Sequence, residues 1–129
     1  MKLRIRSNSI RVRLDRKDLA ELIEHGRVLD VVRFGPGSNH TFTYAVLVGI
    51  APTAHPRADF SAGLLVVTID RSDAEVWSGG NQVGFDHEQA VEGGIVRVIL
   101  EKDFACLDRP AGDAAEDAWA FPNPSEVCG

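Results

Sequence analysis

The run Lys2-Leu3-Arg4-Ile5-Arg6-Ser7-Asn8-Ser9-Ile10-Arg11-Val12-Arg13-Leu14 decides the architecture. Cations and apolar residues alternate strictly from Lys2 to Arg6, and a polar/apolar alternation returns from Ser9 to Leu14. Alternation with a period of two means half-buried β-strands. Between the two runs, Ser7-Asn8 suits a two-residue hairpin turn. That turn sets Lys2 opposite Arg13, Leu3 opposite Val12, Arg4 opposite Arg11, Ile5 opposite Ile10 and Arg6 opposite Ser9. Every apolar residue then meets an apolar one, whereas a three-residue loop would spoil both faces. A single long strand bulged near Asn8 is the alternative, because the apolar parity flips there.

Working outward, Asp15 suits the N-cap of a helix with Asp18 at N3, an apolar stripe of Leu19, Leu22 and Ile23, and a stop at Gly26. Residues 27–34 and 41–48 read as strands joined by Gly35-Pro36-Gly37-Ser38-Asn39, with Phe42, Tyr44 and Val46 on one face. Residues 49–62 contain Pro52 and Pro56 and read as a loop. Leu64 to Ile69 reads as a well-buried strand. Ser72-Asp73-Ala74-Glu75 has the form of a capping box and opens a short helix ending at Gly79-Gly80. Residues 81–94 are turn-rich around a short strand near Val83 and Phe85. Ile95 to Lys102 is the last clear strand, with Val96, Val98 and Leu100 inward. The fold class is therefore α+β, with a mainly antiparallel sheet, two short helices and an irregular acidic tail. One domain over 1–129 is expected, with a folded body at 1–107 and the tail at 108–129 packed on it through its aromatics. No internal repeat is visible.

The chain has 129 residues, 44% of them hydrophobic, and a net charge of −5. One globular domain of this length can bury an adequate core without disulfide or metal. No apolar run approaches the roughly 20 residues of a membrane span. The basic start leads into no signal-peptide core, and Cys106 and Cys128 are too few for a disulfide framework, so a cytoplasmic protein is expected. The charge is unevenly spread. Residues 1–33 hold nine Lys/Arg against five Asp/Glu, and residues 103–129 hold one against six.

Four further segments are familiar in combination: the opening Met1 to Arg11, Arg33-Phe34-Gly35, Glu101-Lys102-Asp103-Phe104-Ala105-Cys106-Leu107, and Phe121-Pro122-Asn123-Pro124. Together they resemble a family of small uncharacterised bacterial proteins over nearly the whole chain. Members often have Gly where this chain has Ser7, as a type II′ turn prefers. The resemblance implies a bacterial, soluble, single-domain protein and brings no mechanism.

The candidate site is the cationic face of the first hairpin, Lys2, Arg4, Arg6, Arg11 and Arg13, assisted by Arg33 and Arg97. Like charges directly opposite across a ladder are destabilising unless something acidic lies near. The chain's own carboxylates could supply it, above all Asp108, Asp113, Glu116 and Asp117 of the tail; so could a small anion, or an acidic protein surface. Arginine forks suit phosphate and carboxylate. Nucleic acid is disfavoured, because no aromatics interleave with the arginines and the pI is near 5.3. His25, His40, His55 and His87 show no metal-ligand spacing, and no cofactor is implied. Cys106 reads as a small buried hydrophobe, and Glu101, Lys102 and Asp103 as a charged strand end. The expectation is a binding module for an acidic partner or small anion. The alternatives are an enzyme acting on a phosphorylated or carboxylated metabolite, with Glu101 or Asp103 as acid/base, and a structural domain whose basic face is neutralised by its own tail.

Overall fold

A computed structural model describes residues 1–49, 55–104 and 119–122. The hairpin forms as its pattern requires. Strands β1 (Lys2–Arg6) and β2 (Ser9–Leu14) pair antiparallel in the register that matches apolar to apolar, with Ile5 opposite Ile10 and Arg4 opposite Arg11. Helix α1 (Arg16–His25) carries a full capping box. The Asp15 carboxylate accepts from the Asp18 backbone N–H at 2.8 Å, and the Asp18 carboxylate accepts from the Asp15 N–H at 3.1 Å. Gly26 closes the helix in the left-handed conformation, at φ 77°.

Strands β3 (Arg27–Arg33) and β4 (Thr41–Gly49) follow, linked through a 3-10 turn at Ser38–His40. Then come β5 (Arg57–Ser61), β6 (Leu64–Asp70), α2 (Arg71–Gly79), β7 (Gly84–Val91) and β8 (Gly94–Lys102). Three expectations change. The second half of the supposed 49–62 loop is strand β5, which Pro56 precedes rather than interrupts, a position proline tolerates. The 81–94 stretch holds an eight-residue strand rather than a short one. Helix α2 is capped by Asp70, whose carboxylate accepts from the Ser72 N–H at 3.1 Å, so Ser72 lies inside the first turn.

The strands form two four-stranded sheets, ordered β1-β2-β8-β7 and β3-β4-β6-β5. In each, two antiparallel hairpins are joined by a central parallel pair, β2 with β8 and β4 with β6. This topology repeats. The first half, β1-β2-α1-β3-β4, matches the second, β5-β6-α2-β7-β8, and exchanging the halves maps one sheet order onto the other. A trace survives in the residues 55 positions apart: Leu14-Asp15-Arg16-Lys17-Asp18 against Ile69-Asp70-Arg71-Ser72-Asp73. Both Asp15 and Asp70 are N-caps, and buried Leu22 corresponds to buried Trp77.

The inward faces of both sheets and both helices share one apolar core. It includes Val12, Leu14, Val46, Val67, Ile69, Val98, Leu100, Leu22 and Trp77. The pairings place every hairpin turn at one end of the sheets and both helices at the other. The helices plug their end with Leu22 and Trp77. At the turn end the sheets leave an apolar cavity of about 400 Å³ between them. Two polar contacts tie the sheet edges. The Gln89 side-chain amide both accepts from the Ala58 N–H and donates to the Ala58 carbonyl, at 2.8 Å each. The Met1 ammonium sits 3.0 Å from Asp18 and 3.6 Å from Asp30 of β3. Among the described residues no helix is long and apolar enough to cross a membrane.

Two backbone positions test this fold. A Cβ on Gly84 would lie 2.2 Å from the Leu100 carbonyl oxygen and 2.6 Å from the Glu101 Cα, atoms of a central strand that cannot yield. Gly84→Ala is expected to destabilise by about 2 kcal/mol or more by overpacking. Gly94→Ala, with nothing within 4 Å, leaves the urea midpoint in place. Ser7 has φ 49° while Asn8 is not positive, the sign pattern of a type II′ turn. Ser7→Gly relieves about 1–2 kcal/mol of left-handed strain against about 0.5–1 kcal/mol of added chain entropy. The midpoint of chemical unfolding should therefore rise.

Candidate functional site: an arginine hollow on the first sheet

Alternation along three adjacent strands builds the outer face of the first sheet. β1 presents Lys2, Arg4 and Arg6; β2 presents Ser9, Arg11 and Arg13; β8 presents Arg97, Ile99 and Glu101. The ladders align them in rows: Arg6 with Ser9 and Arg97, Arg4 with Arg11 and Ile99, Lys2 with Arg13 and Glu101. Arg4, Arg6, Ser9, Arg11, Arg97 and Ile99 surround a hollow of about 160 Å³. That volume equals the liquid share of about five waters, at about 30 Å³ each. Of the residues singled out from sequence, these four arginines come together. Lys2 and Arg13 stand on the same face, one row toward the helices. Arg33 ends β3 on the other sheet, paired with Thr41, and does not join them.

Counter-charge comes from within the sheet. The Arg13 Nε donates to Glu101 Oε1 at 2.9 Å, and the Arg11 Nε lies 3.5 Å from the same oxygen. Lys2 Nζ is 2.9 Å from Asp103 Oδ2. Arg97 clamps Asp86 of β7 through two hydrogen bonds, the Nε–Oδ1 one at 2.9 Å. These bonds, reinforced by the field of Arg97 and Arg11, hold the Asp86 carboxyl below the ordinary carboxylate range, so it stays ionised. Asp108, Asp113, Glu116 and Asp117, expected as neutralising partners, lie outside the described residues, as do Cys106 and Cys128. Among the described residues Arg4 and Arg6 have no acidic partner, and both are exposed on an edge strand. Ser9 Oγ donates to the Arg6 carbonyl oxygen at 2.7 Å, so the donors free to face the hollow are guanidinium N–H groups.

Asp86 and Ile99 were missed from sequence because they reach the hollow only through the β2–β8 and β7–β8 pairings, which no local pattern reveals. His87, expected in an exposed turn, lies on β7 and stacks on His55 with ring centroids 4.1 Å apart. Among the described residues no three His, Cys, Asp or Glu side chains are grouped so as to hold a metal ion.

The Glu101-Lys102-Asp103 trio is split by the pleat. Glu101 and Asp103 serve the outer cations, while Lys102 turns inward and keeps 6% of its surface exposed. Its ammonium donates to the Gly80 carbonyl at 2.8 Å and sits 5.2 Å from the Phe121 ring centroid. Phe121 is held by its N–H, which donates to the Asp103 carbonyl at 2.8 Å. Burial pushes the Lys102 ammonium below its ordinary pKa. The folded state thus disfavours the charged form, and that cost disappears as pH rises from the lowered folded pKa toward the unfolded value. Lys102→Met should remove the resulting alkaline gain. The stability difference between variant and parent, measured in urea, is expected to be largest at pH 7 and to shrink toward pH 10.5.

Comparison with curated proteins and with solved structures finds no match. A family model matches residues 1–125. On that match, the chain that builds this arginine hollow belongs to DUF7009, a family of unknown function.

Proposed function

We propose that the protein binds a small anion, a phosphate or carboxylate group, in the hollow between Arg4, Arg6, Arg11 and Arg97. One observation carries this reading: four guanidinium groups surround one small concavity, and the two on the edge strand have no carboxylate among the described residues. Arg4 and Arg11 stand opposite one another as like charges. Glu101 answers the charge of Arg11, while Arg4 has no acidic partner among the described residues, and an anion in the hollow would relieve the remaining repulsion. The planar guanidinium fork matches the oxygens of phosphate and carboxylate, so each hydrogen bond formed to an oxyanion is well directed.

A small anion is favoured over an acidic protein surface because the cationic area is a hollow rather than a flat patch. The enzyme alternative requires a titratable group within reach of the clamp. The lining has arginines, a serine whose proton is engaged, and an isoleucine, and the nearest carboxylates are held by Arg11, Arg13 and Arg97. Binding is therefore the better-supported reading. The structural alternative rests on the tail carboxylates, which lie outside the described residues. Glu101, Asp86 and Asp103 neutralise Lys2, Arg11, Arg13 and Arg97 and leave Arg4 and Arg6 unpaired among the described residues.

The test is calorimetric titration with inorganic phosphate and with citrate at low and moderate salt. Saturable binding at both salt levels is expected, weaker at the higher one. Each charge-assisted contact is worth about 1.5–3 kcal/mol, so replacing Arg4 and Arg6 together by Gln should weaken binding by tenfold or more. Arg33→Gln on the other sheet should leave it unchanged. Heat changes that do not saturate, or equal losses in the Arg33 variant, would mean general screening and overturn the proposal. Arg4→Gln alone should raise unfolding stability by a few tenths of a kcal/mol, as removal of an opposed like charge predicts.

A further inference from the structure

The strands that carry the arginines outward carry apolar residues inward at the same level. On β1 Ile5 lies between Arg4 and Arg6; on β2 Ile10 lies between Ser9 and Arg11; on β8 Val96 precedes Arg97. These inward residues line the cavity of about 400 Å³ at the turn end of the two sheets. The second sheet supplies their symmetry mates: Phe60 for Ile5, Leu65 for Ile10 and Phe42 for Val96. The volume falls within the range of small-molecule sites and is between two and three times that of an engineered cavity that takes benzene, about 150 Å³.

The polar groups on the cavity wall are already committed. Both atoms of the Gln89 amide are hydrogen-bonded to Ala58, and Asp59 is paired with Arg57 at 3.3 Å. An occupant is therefore apolar over its enclosed length. Ile5 and Phe60 at the mouth are 63% and 64% exposed, so large apolar surfaces at the opening stand in water. The two rims of the mouth differ. The positions that hold Arg4 and Arg6 on β1 hold Asp59 and Ser61 on β5, and the position of Arg97 on β8 holds Thr43 on β4. Inside, both halves present apolar residues; outside, the β1 and β8 positions are cationic and their β5 and β4 mates are not.

We propose that the site takes one free amphipathic anion. Its hydrocarbon chain fills the cavity between the sheets, and its carboxylate or phosphate head crosses the Ser7-Asn8 rim to Arg6 and Arg4. The inference rests on the anion reading of the arginine hollow and names the ligand class for it. The charge difference between the rims sets the orientation, with the head toward β1 and away from the carboxylate of Asp59.

The test uses monomeric decanoate below its micelle concentration, with decanol, acetate and inorganic phosphate titrated in parallel. Decanoate is expected to bind at least about a hundredfold more tightly than acetate, since each buried methylene adds severalfold in affinity. It should also bind at least tenfold more tightly than decanol. Phe60→Gln, at an exposed position where folding is not at stake, should weaken decanoate by fivefold or more and leave phosphate unchanged. Replacing Arg4 and Arg6 by Gln should bring decanoate down to the affinity of decanol. Decanoate no tighter than acetate would overturn the chain site while phosphate binding upheld the arginine hollow. Decanol equal to decanoate in the parent would overturn the head-group assignment. Failure of phosphate to bind would count against the anion reading itself, whatever the decanoate result. Adsorption to anionic lipid vesicles without saturable decanoate binding would also overturn the proposal.

Discussion

The parallel ladder between β2 and β8 is the constraint on which the rest depends. It joins Ile10 to Val98 and Leu14 to Lys102, residues 88 positions apart in a chain of 129. Without it the first hairpin is two short strands with one apolar face, which is marginal in water by itself. With it, Val12, Leu14, Val98 and Leu100 form one side of the core, and Arg97 and Glu101 stand beside Ser9 and Arg13. The core and the candidate site are thus two consequences of a single pairing. Closing so long a loop costs chain entropy that the local hairpins and α1 do not incur.

The doubled topology explains why the two ends differ. Each half sends its chain from a hairpin turn, through a buried central strand, into a helix capped by an aspartate. Both helices therefore collect at one end, where Leu22 and Trp77 fill the space between the sheets. At the turn end the described residues leave a cavity between the sheets. The halves keep the same inward chemistry because both face the same core. Their outward faces were free to diverge, and the cluster of Arg4, Arg6, Arg11 and Arg97 has no counterpart at the matching positions Asp59, Ser61, Val66 and Thr43 of the other sheet.

Local signals were legible where both faces of an element had different surroundings. The Ser7-Asn8 turn, its five residue pairs and the Asp15–Asp18 capping box all follow from spacing alone. Strand β5 was obscured because Arg57-Ala58-Asp59-Phe60-Ser61 follows two prolines and presents only two apolar residues inward. Strand β7 was obscured for a related reason: His87 and Gln89 point inward, where alternation calls for apolar residues. Both are edge strands, and there Gln89 acts as a partner for the Ala58 backbone, satisfying groups that an apolar residue would leave unpaired. The internal repeat was hidden because identical side chains at the 55-residue spacing are few; among them are Val12 and Val67 in the core, and Asp15, Arg16 and Asp18 at the helix entry against Asp70, Arg71 and Asp73.

The cationic face was legible as a composition, and its convergence was not. Alternation showed which side each arginine takes, while the distance between Arg97 and the hairpin depends on the β2–β8 register. That register also separates the cations into two groups. Lys2, Arg11, Arg13 and Arg97 meet carboxylates of the folded body, which answers the repulsion that like-charged pairs would otherwise impose. Arg4 and Arg6 stand on the outermost strand, farthest from Asp86 and Glu88 of β7, where the ladder offers no acidic neighbour. A device against edge-to-edge pairing would need charge along the edge but no hollow. The concavity that joins these two arginines to Arg11 and Arg97 is what edge protection leaves unexplained, and the proposed anion site rests on it.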